Sequence, residues 1–285
     1  MWPATPVLHT EYRSVLGSLN WLQSRTQFQS CYRFSRAASA AASPTMADVR
    51  AINKLVRAVR AETVRLCFWP LQGQVRVLGC PDAAYRNNSD KSSQRGQCIF
   101  LCEQRAEGRT STRGSLVDYE SQKINRTVLS TTVAELYSVM KCFGTCQVLR
   151  GLWMDISGEV APLHLRTDAN NLVTTAATTH LPEQRETMHM IQMLRKESCS
   201  GSIEDLAHVR TEVCMSDCLT KQSATPDTLI RAVRTGVIPG VDTNPPFRST
   251  LKHRAFVMNF LVETLGYSPI DAVHCQFFGR HRQLP

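Results

Sequence analysis

The hydrophobic period changes at Leu71, and the run of residues beyond it narrows the fold more than any other feature of the chain. Val75, Val77 and Gly79 alternate with Arg76, Leu78 and Cys80, the two-residue period of a strand. A polar turn at Asn87-Asn88-Ser89-Asp90 separates this run from a second strand over Gln97 to Cys102. The polar stretch Gly108 to Gly114 then leads to a third strand over Ser115 to Tyr119. Three strands at this spacing predict an antiparallel meander. The period then lengthens. Leu136, Val139, Met140, Phe143, Cys146, Leu149 and Trp153 recur at helical spacing, predicting a long helix from Val133 to Trp153. Pro162 to Thr167 reads as a fourth strand, Thr187 to Glu197 as a helix, Ser202 to Val209 as a fifth strand and Met215 to Lys221 as the start of a last helix. Three strands, then alternating helices and strands, predict a mixed-sheet α/β domain over residues 67–225.

Residues 1–66 read as helical. Val15, Leu16, Leu19, Trp21 and Leu22 mark a helix within Tyr12 to Arg36, and the alanine-rich stretch Ala37 to Pro44 reads as a connector. Asp48 precedes an amphipathic helix with Ile52, Leu55, Val56 and Val59 on one face and Lys54, Arg57 and Arg60 on the other. Residues 226–285 form an unassigned extension, with one helix predicted over Ser249 to Leu265.

Four carboxylates fall where an apolar run meets a turn or a helix start: Asp82, Glu135, Asp168 and Asp217. The alternation puts Asp82 on the Leu78/Cys80 face of the first strand, and Asp168 ends the fourth, the strand edge where open α/β sheets bind ligands. Carboxylate oxygens are the hard ligands that Mg²⁺ and Mn²⁺ prefer, and four from separate elements suffice for two metals and phosphodiester hydrolysis. Each acid also has a purely structural reading. Thr132-x-x-Glu135 has the pattern of a capping box, Asp168 suits an N-cap, and Asp217 suits the positive end of a helix dipole. The order of all four is what favours chemistry.

The net charge of +9 favours an anionic partner, with nucleic acid the commonest. Met1 to Ser14 lacks the apolar core of a secretory signal, and no apolar run reaches bilayer length, so no membrane partner is expected and a cytoplasmic or nuclear, non-secreted location is. The 11 scattered cysteines then read as reduced thiols. Cys142/Cys146, Cys98/Cys102 and Cys214/Cys218 have i, i+4 spacing, without the paired Cys-x-x-Cys of a structural zinc site.

Several blocks point to one family. Leu129-Ser130-Thr131-Thr132-Val133-Ala134-Glu135-Leu136-Tyr137 is similar to a Ser-Ser-x-Glu-Ala-Glu-Tyr block, and Ser216-Asp217-Cys218-Leu219-Thr220-Lys221 to an Ala-Asp-x-Leu-Thr-Lys block. Asp90 to Gly96 matches a polar turn before the second strand, and Tyr12 to Leu22 a segment that follows a reverse-transcriptase palm. From Tyr12 to Gln222 the chain resembles the ribonuclease H region of copia-type retrotransposon polyproteins, with the end of the reverse-transcriptase thumb or connection before it. The resemblance implies a ribonuclease H-like mixed five-stranded sheet with flanking helices. It implies endonucleolytic cleavage of the RNA strand of an RNA–DNA hybrid by two Mg²⁺ ions, with Mn²⁺ as a substitute, held by Asp82, Glu135, Asp168 and Asp217 as catalytic and metal residues. Thr132, Asn170 and Asn171 lie near the carboxylates as candidate sugar or phosphate contacts. Some members of the fold use a histidine in product release, for which His180 and His208 are candidates.

The chain also departs from the pattern. Pro81 sits in what should be a central strand, where proline removes a ladder donor, so a bulge or a damaged strand is expected there. Arg185-Glu186-Thr187-Met188 replaces the family's Lys-His-Ile-Asp block. No Tyr-x-Asp-Asp motif, zinc knuckle or Asp-Thr-Gly protease motif is present, so no polymerase activity is expected. The chain reads as a fragment, a degenerate copy or a domesticated gene product. Two other functions stay open: a catalytically inactive nucleic-acid-binding domain of the same fold, and another nuclease or transposase of this group. Against the latter stand Asp82-Ala83-Ala84, where an exonuclease carries Asp-x-Glu, and a final Asp217, where a transposase carries glutamate.

Overall fold

The computed structural model describes residues 2–104, 111–177 and 185–239. His180 and the helix expected over Ser249 to Leu265 lie outside them.

The meander is present. β1 (Val75–Ala84), β2 (Gln94–Glu103) and β3 (Thr112–Lys123) pair antiparallel in sequence order. β4 (Leu163–Thr167) adds parallel to the other edge of β1, and β5 (Asp205–His208) adds parallel to β4. The sheet has six strands rather than the five expected, in the order β5-β4-β1-β2-β3-β6. The extra strand, β6 (Val237–Ile238), is a two-residue pairing with Thr112 and Arg113, too short to show a period.

All ten residues of β1 are buried, because both faces of the sheet are covered. One face carries Val77, Ile99, Leu163 and Leu165 against Leu136, Val139, Cys142, Phe143 and Cys146 of the long helix α4 (Thr131–Ser157). Leu172 of α5 (Asn170–Ala177) and Ile191 and Leu194 of α6 (Arg185–Cys199) extend this core. The opposite face carries Leu78, Cys80, Cys98, Phe100 and Cys102. It is covered by Phe28, Cys31, Met215 and Leu219, and by Leu229, Ile230 and Val233 of α7 (Asp227–Thr235). The core therefore continues past residue 225 as far as Ile238.

The short helix expected within Tyr12 to Arg36 is α1 (Pro6–Arg25), and a second, α2 (Cys31–Ser39), follows it after a 3-10 turn at Phe28–Ser30. The break has a packing cause. Tyr12, Leu16 and Leu19 face Ile52 and Leu55 of α3 (Met46–Ala61), whereas Phe28 and Cys31 must turn toward the sheet. The Phe28 ring meets Tyr119 of β3 edge-on at 5.8 Å between centroids. α3 begins before Asp48, not after it. Thr45 is the N-cap, and Asp48 completes a capping box by accepting the Thr45 backbone N–H at 2.8 Å.

α4 is capped by Ser130, whose hydroxyl accepts the Val133 N–H at 3.3 Å, and it ends at Gly158 in the left-handed conformation, φ +74°. Thr132 is thus inside the helix, and Glu135 is free of the capping role that the spacing suggested. Asp217 likewise starts no α-helix: Asp217–Leu219 is a single 3-10 turn.

Pro81 neither bulges nor breaks β1. The pairing with β2 runs without interruption from Val75↔Glu103 to Ala84↔Gln94. The Val77 N–H donates to Pro162 O at 2.8 Å, so the odd-numbered nitrogens of β1 face β4. Pairing with β4 ends at Gly79↔Leu165, so the N–H that Pro81 lacks has no rung to break. The bulge of this sheet lies in β3, opposite Ile99 and Phe100.

Gly79 is set by close approach. A Cβ there would lie 2.7 Å from Cys146 Sγ, 2.8 Å from Cys142 Sγ and 2.8 Å from Leu165 Cδ2. Gly79→Ala should therefore destabilise the protein by about 1–3 kcal/mol through overpacking, read as a lower midpoint in chemical denaturation.

Candidate metal centre

Beyond Gly79 and Leu165, β1 and β4 part, and the acids gather in the gap. Asp82 projects from β1 and is 0% exposed. The Thr220 hydroxyl donates to its Oδ2, while Oδ1 has no hydrogen-bond partner among the described residues. Asp168 follows Thr167 at the end of β4, is half-buried, and accepts from the Thr211 hydroxyl at 3.3 Å. Glu135 enters from the second turn of α4 and is 6% exposed. It accepts from the Ala83 backbone N–H, an odd-numbered donor freed by the parting of the strands. Glu135 Oε2 has no partner among the described residues. One turn further along α4, the buried Ser138 hydroxyl lies 2.7 Å from Asp82 O and 3.1 Å from Gly96 O, which ties the helix to β1 and β2 at the height of the acids.

Burial and mutual repulsion set the protonation of this group. Burial, with Asp168 and Asp217 nearby, raises Asp82 to about 6 despite Lys221 and the Thr220 bond. Burial, then Asp82 and Asp168, raises Glu135 to about 9. The acids of this cluster outnumber the positive charges beside them, a deficit of the kind a divalent cation can make up. One cation is built in. Lys221 Nζ is paired with Asp217 Oδ1 and lies 4.0 Å from Asp82 Oδ2. Burial alone would lower the Lys221 ammonium, but Asp82, Asp217 and Asp168 outweigh it and raise it.

The sequence residues are placed unequally. Asp82, Glu135 and Asp168 converge. Asp217 is close enough to act on Asp82 but is engaged by Lys221. Among the described residues, ligand atoms of Asp82, Asp168 and Cys214 gather within 4.8 Å of one another, and Cys214 is a cysteine that no sequence pattern singled out as a ligand. Cys214 was visible only as half of the Cys214/Cys218 pair, and Cys218 packs in the core with Leu78. Lys221 and Thr220 were legible only as part of the 216–221 block. Glu135, Asp168 and Lys221 open onto a cleft that Thr132, Asn170 and Asn171 also line. Tyr32 of α2 lines it too, again without a signal in the sequence. His208, at the end of β5, pairs with Thr167 and is not among the lining residues. The Cys142 and Cys146 thiols are fully buried, 4.0 Å apart, under Gly79.

Linkage fixes the sign of the pH dependence. The native protein holds a proton on Glu135 that the unfolded chain has already lost, so this contribution to stability is present below the ordinary value of 4.5 and disappears as pH rises toward about 9. Without divalent ions, Glu135→Gln should therefore be more stable than the parent in alkaline buffer, by about 2 kcal/mol, the usual cost of an unsatisfied buried polar group. The two proteins should converge in acid. Thermal melts across pH measure this, and equal curves at alkaline pH would refute it.

No family model and no curated protein matches the chain. Among solved structures it is similar to the LC11 ribonuclease H1 in complex with an RNA/DNA hybrid, at 14% identity over 54% of this chain and 99% of that one, TM-score 0.37. It is similar to the N-terminal ribonuclease H domain of a Mycobacterium tuberculosis protein, at 12% identity over 57% and 99%, TM-score 0.36. It is also similar to ribonuclease H1 of Halobacterium salinarum, at 16% identity over 56% and 100%, TM-score 0.33. The described residues of this chain form a mixed six-stranded sheet in the order β5-β4-β1-β2-β3-β6 with helices packed on both faces.

Proposed function

We propose that the chain is a metal-dependent endonuclease that cleaves the RNA strand of RNA–DNA hybrids. The observation that carries this reading is the pair of buried, unpartnered carboxylate oxygens, Asp82 Oδ1 and Glu135 Oε2, in a cluster short of positive charge. Such groups are costly unless something binds them. Their all-oxygen chemistry suits Mg²⁺, with Mn²⁺ as a substitute. Asp82 and Asp168 would hold the ion that both reach, Glu135 would join from α4, and Asp217 would complete a second position once released from Lys221. The ions would supply an activated water and stabilise the departing 3′ oxygen.

The protein's own part is positioning. Ser138 locks α4 to β1 and so sets Glu135 against Asp82. Thr220 orients the Asp82 carboxylate. Thr132, Asn170 and Asn171 on the cleft wall suit sugar and phosphate oxygens, and recognition through backbone shape and 2′-hydroxyls calls for little sequence specificity. His208 and His180 keep only the product-release role that the family resemblance implies. The blocks at 129–137 and 216–221 support an origin in a copia-type retrotransposon polyprotein, and a cytoplasmic or nuclear setting accords with that origin.

A second reading has its own observation. Lys221 already places an ammonium among the acids, which would let a domain that had lost its metal chemistry keep the fold and bind nucleic acid only. A labelled RNA–DNA hybrid separates the two. The nuclease reading expects RNA-strand cleavage with Mg²⁺, none in EDTA, and a loss of about 100-fold or more in Asp82→Asn and Asp168→Asn. Salt-sensitive binding with an intact hybrid would instead establish the inactive domain.

A further inference from the structure

The centre contains one atom that an all-oxygen site for a hard ion does not need. Cys214 Sγ, Asp82 and Asp168 present ligand atoms within 4.8 Å of one another. Cys214 is buried, and its thiol lies 3.5 Å from Ser216 Oγ. The sulfur does not stand alone, because the 0%-exposed Asp82 keeps Oδ1 unpartnered in the same group. Carboxylate oxygen discriminates little between Mg²⁺ and softer ions, whereas thiolate sulfur strongly favours the softer ones. Zinc bonds of about 2.0–2.3 Å to oxygen and sulfur bring two ligands of one ion to about 3.5 Å apart, so these atoms need to move by only about 1 Å.

We propose that Asp82, Asp168 and Cys214 form a mixed oxygen–sulfur site that takes thiophilic divalent ions, Zn²⁺ and Cd²⁺, in preference to Mg²⁺. This deepens the nuclease reading and rests on it for one consequence: such an ion occupies the carboxylates needed for hydrolysis and acts as an inhibitor. On binding, the sulfur–metal bond replaces the S–H bond of Cys214 and one proton passes to solvent. No electron transfer is involved.

Cd²⁺ titrated into the full chain under reducing conditions tests the site, with the ultraviolet thiolate–cadmium charge-transfer band as readout. The wild-type protein should show a saturable band that 1,000-fold more Mg²⁺ fails to remove. Cys214→Ser should lose it, and Asp168→Asn, at a half-exposed position, should bind Cd²⁺ about 10-fold more weakly or worse. Cys142→Ser should keep it. A band retained in Cys214→Ser, lost in Cys142→Ser, unaffected in Asp168→Asn, or absent from the wild type would overturn the proposal. Asp168→Asn decides the matter alone if Cys214→Ser does not fold. Hybrid cleavage is measured in parallel. A Cys214-dependent band in a protein that cleaves nothing would leave the site standing and defeat the nuclease reading.

Discussion

The site depends on two parallel strands that separate. β1 and β4 share rungs only from Val77 to Gly79, and β1 then continues for five more residues. Those five residues hold the acid, the proline and the free backbone donor. Pro81 has no N–H to strand in the gap, the Ala83 N–H finds Glu135, and Asp82 faces the group from the even-numbered side of the strand. Continued pairing would have closed the gap and removed Ala83 as a donor. Proline is thus well suited to the place where the strand pattern alone expected it to do harm. Gly79 allows α4 to lie close enough for Glu135 to reach the gap, because any side chain there would press on Cys142, Cys146 and Leu165.

The electrostatic balance of the centre is a consequence of that geometry. Asp82 and Glu135 are withdrawn from water, and Asp82 and Asp168 further raise the affinity of Glu135 for protons. Thr220 and Lys221, from the segment after β5, supply compensation that is real but partial, since Asp82 Oδ1 and Glu135 Oε2 stay unbonded among the described residues. Lys221 is shared among these acids: it pairs directly with Asp217 and lies 4.0 Å from Asp82 Oδ2. The segment that supplies Lys221 also supplies Cys214, so one short stretch contributes an internal cation, a hydroxyl and a soft ligand.

Much of this was legible in the sequence because it depends on local period. The strands around Asp82, the meander, the long helix and the strand that ends at Asp168 all reflect alternation or helical spacing. The features missed depend on choices that the period does not make. Ser130, Thr131 and Thr132 are all competent caps, and only the packing of α4, which turns Glu135 inward, selects Ser130. The break before α2 arises because Phe28 and Cys31 face a different core from α1. β6 is two residues held by the edge of β3. Lys221 and Cys214 meet Asp82 across more than 130 residues of chain, a proximity that no local pattern encodes.

If the parted strands create a cation site at Asp82 and Asp168, crystals grown with Mn²⁺ and measured for anomalous scattering will reveal it. The expected result is an anomalous peak within bonding distance of both carboxylates, with Lys221 retained on Asp217 or displaced toward solvent. Peaks confined to surface residues, with Lys221 Nζ filling the space between the acids, would contradict a cation site there.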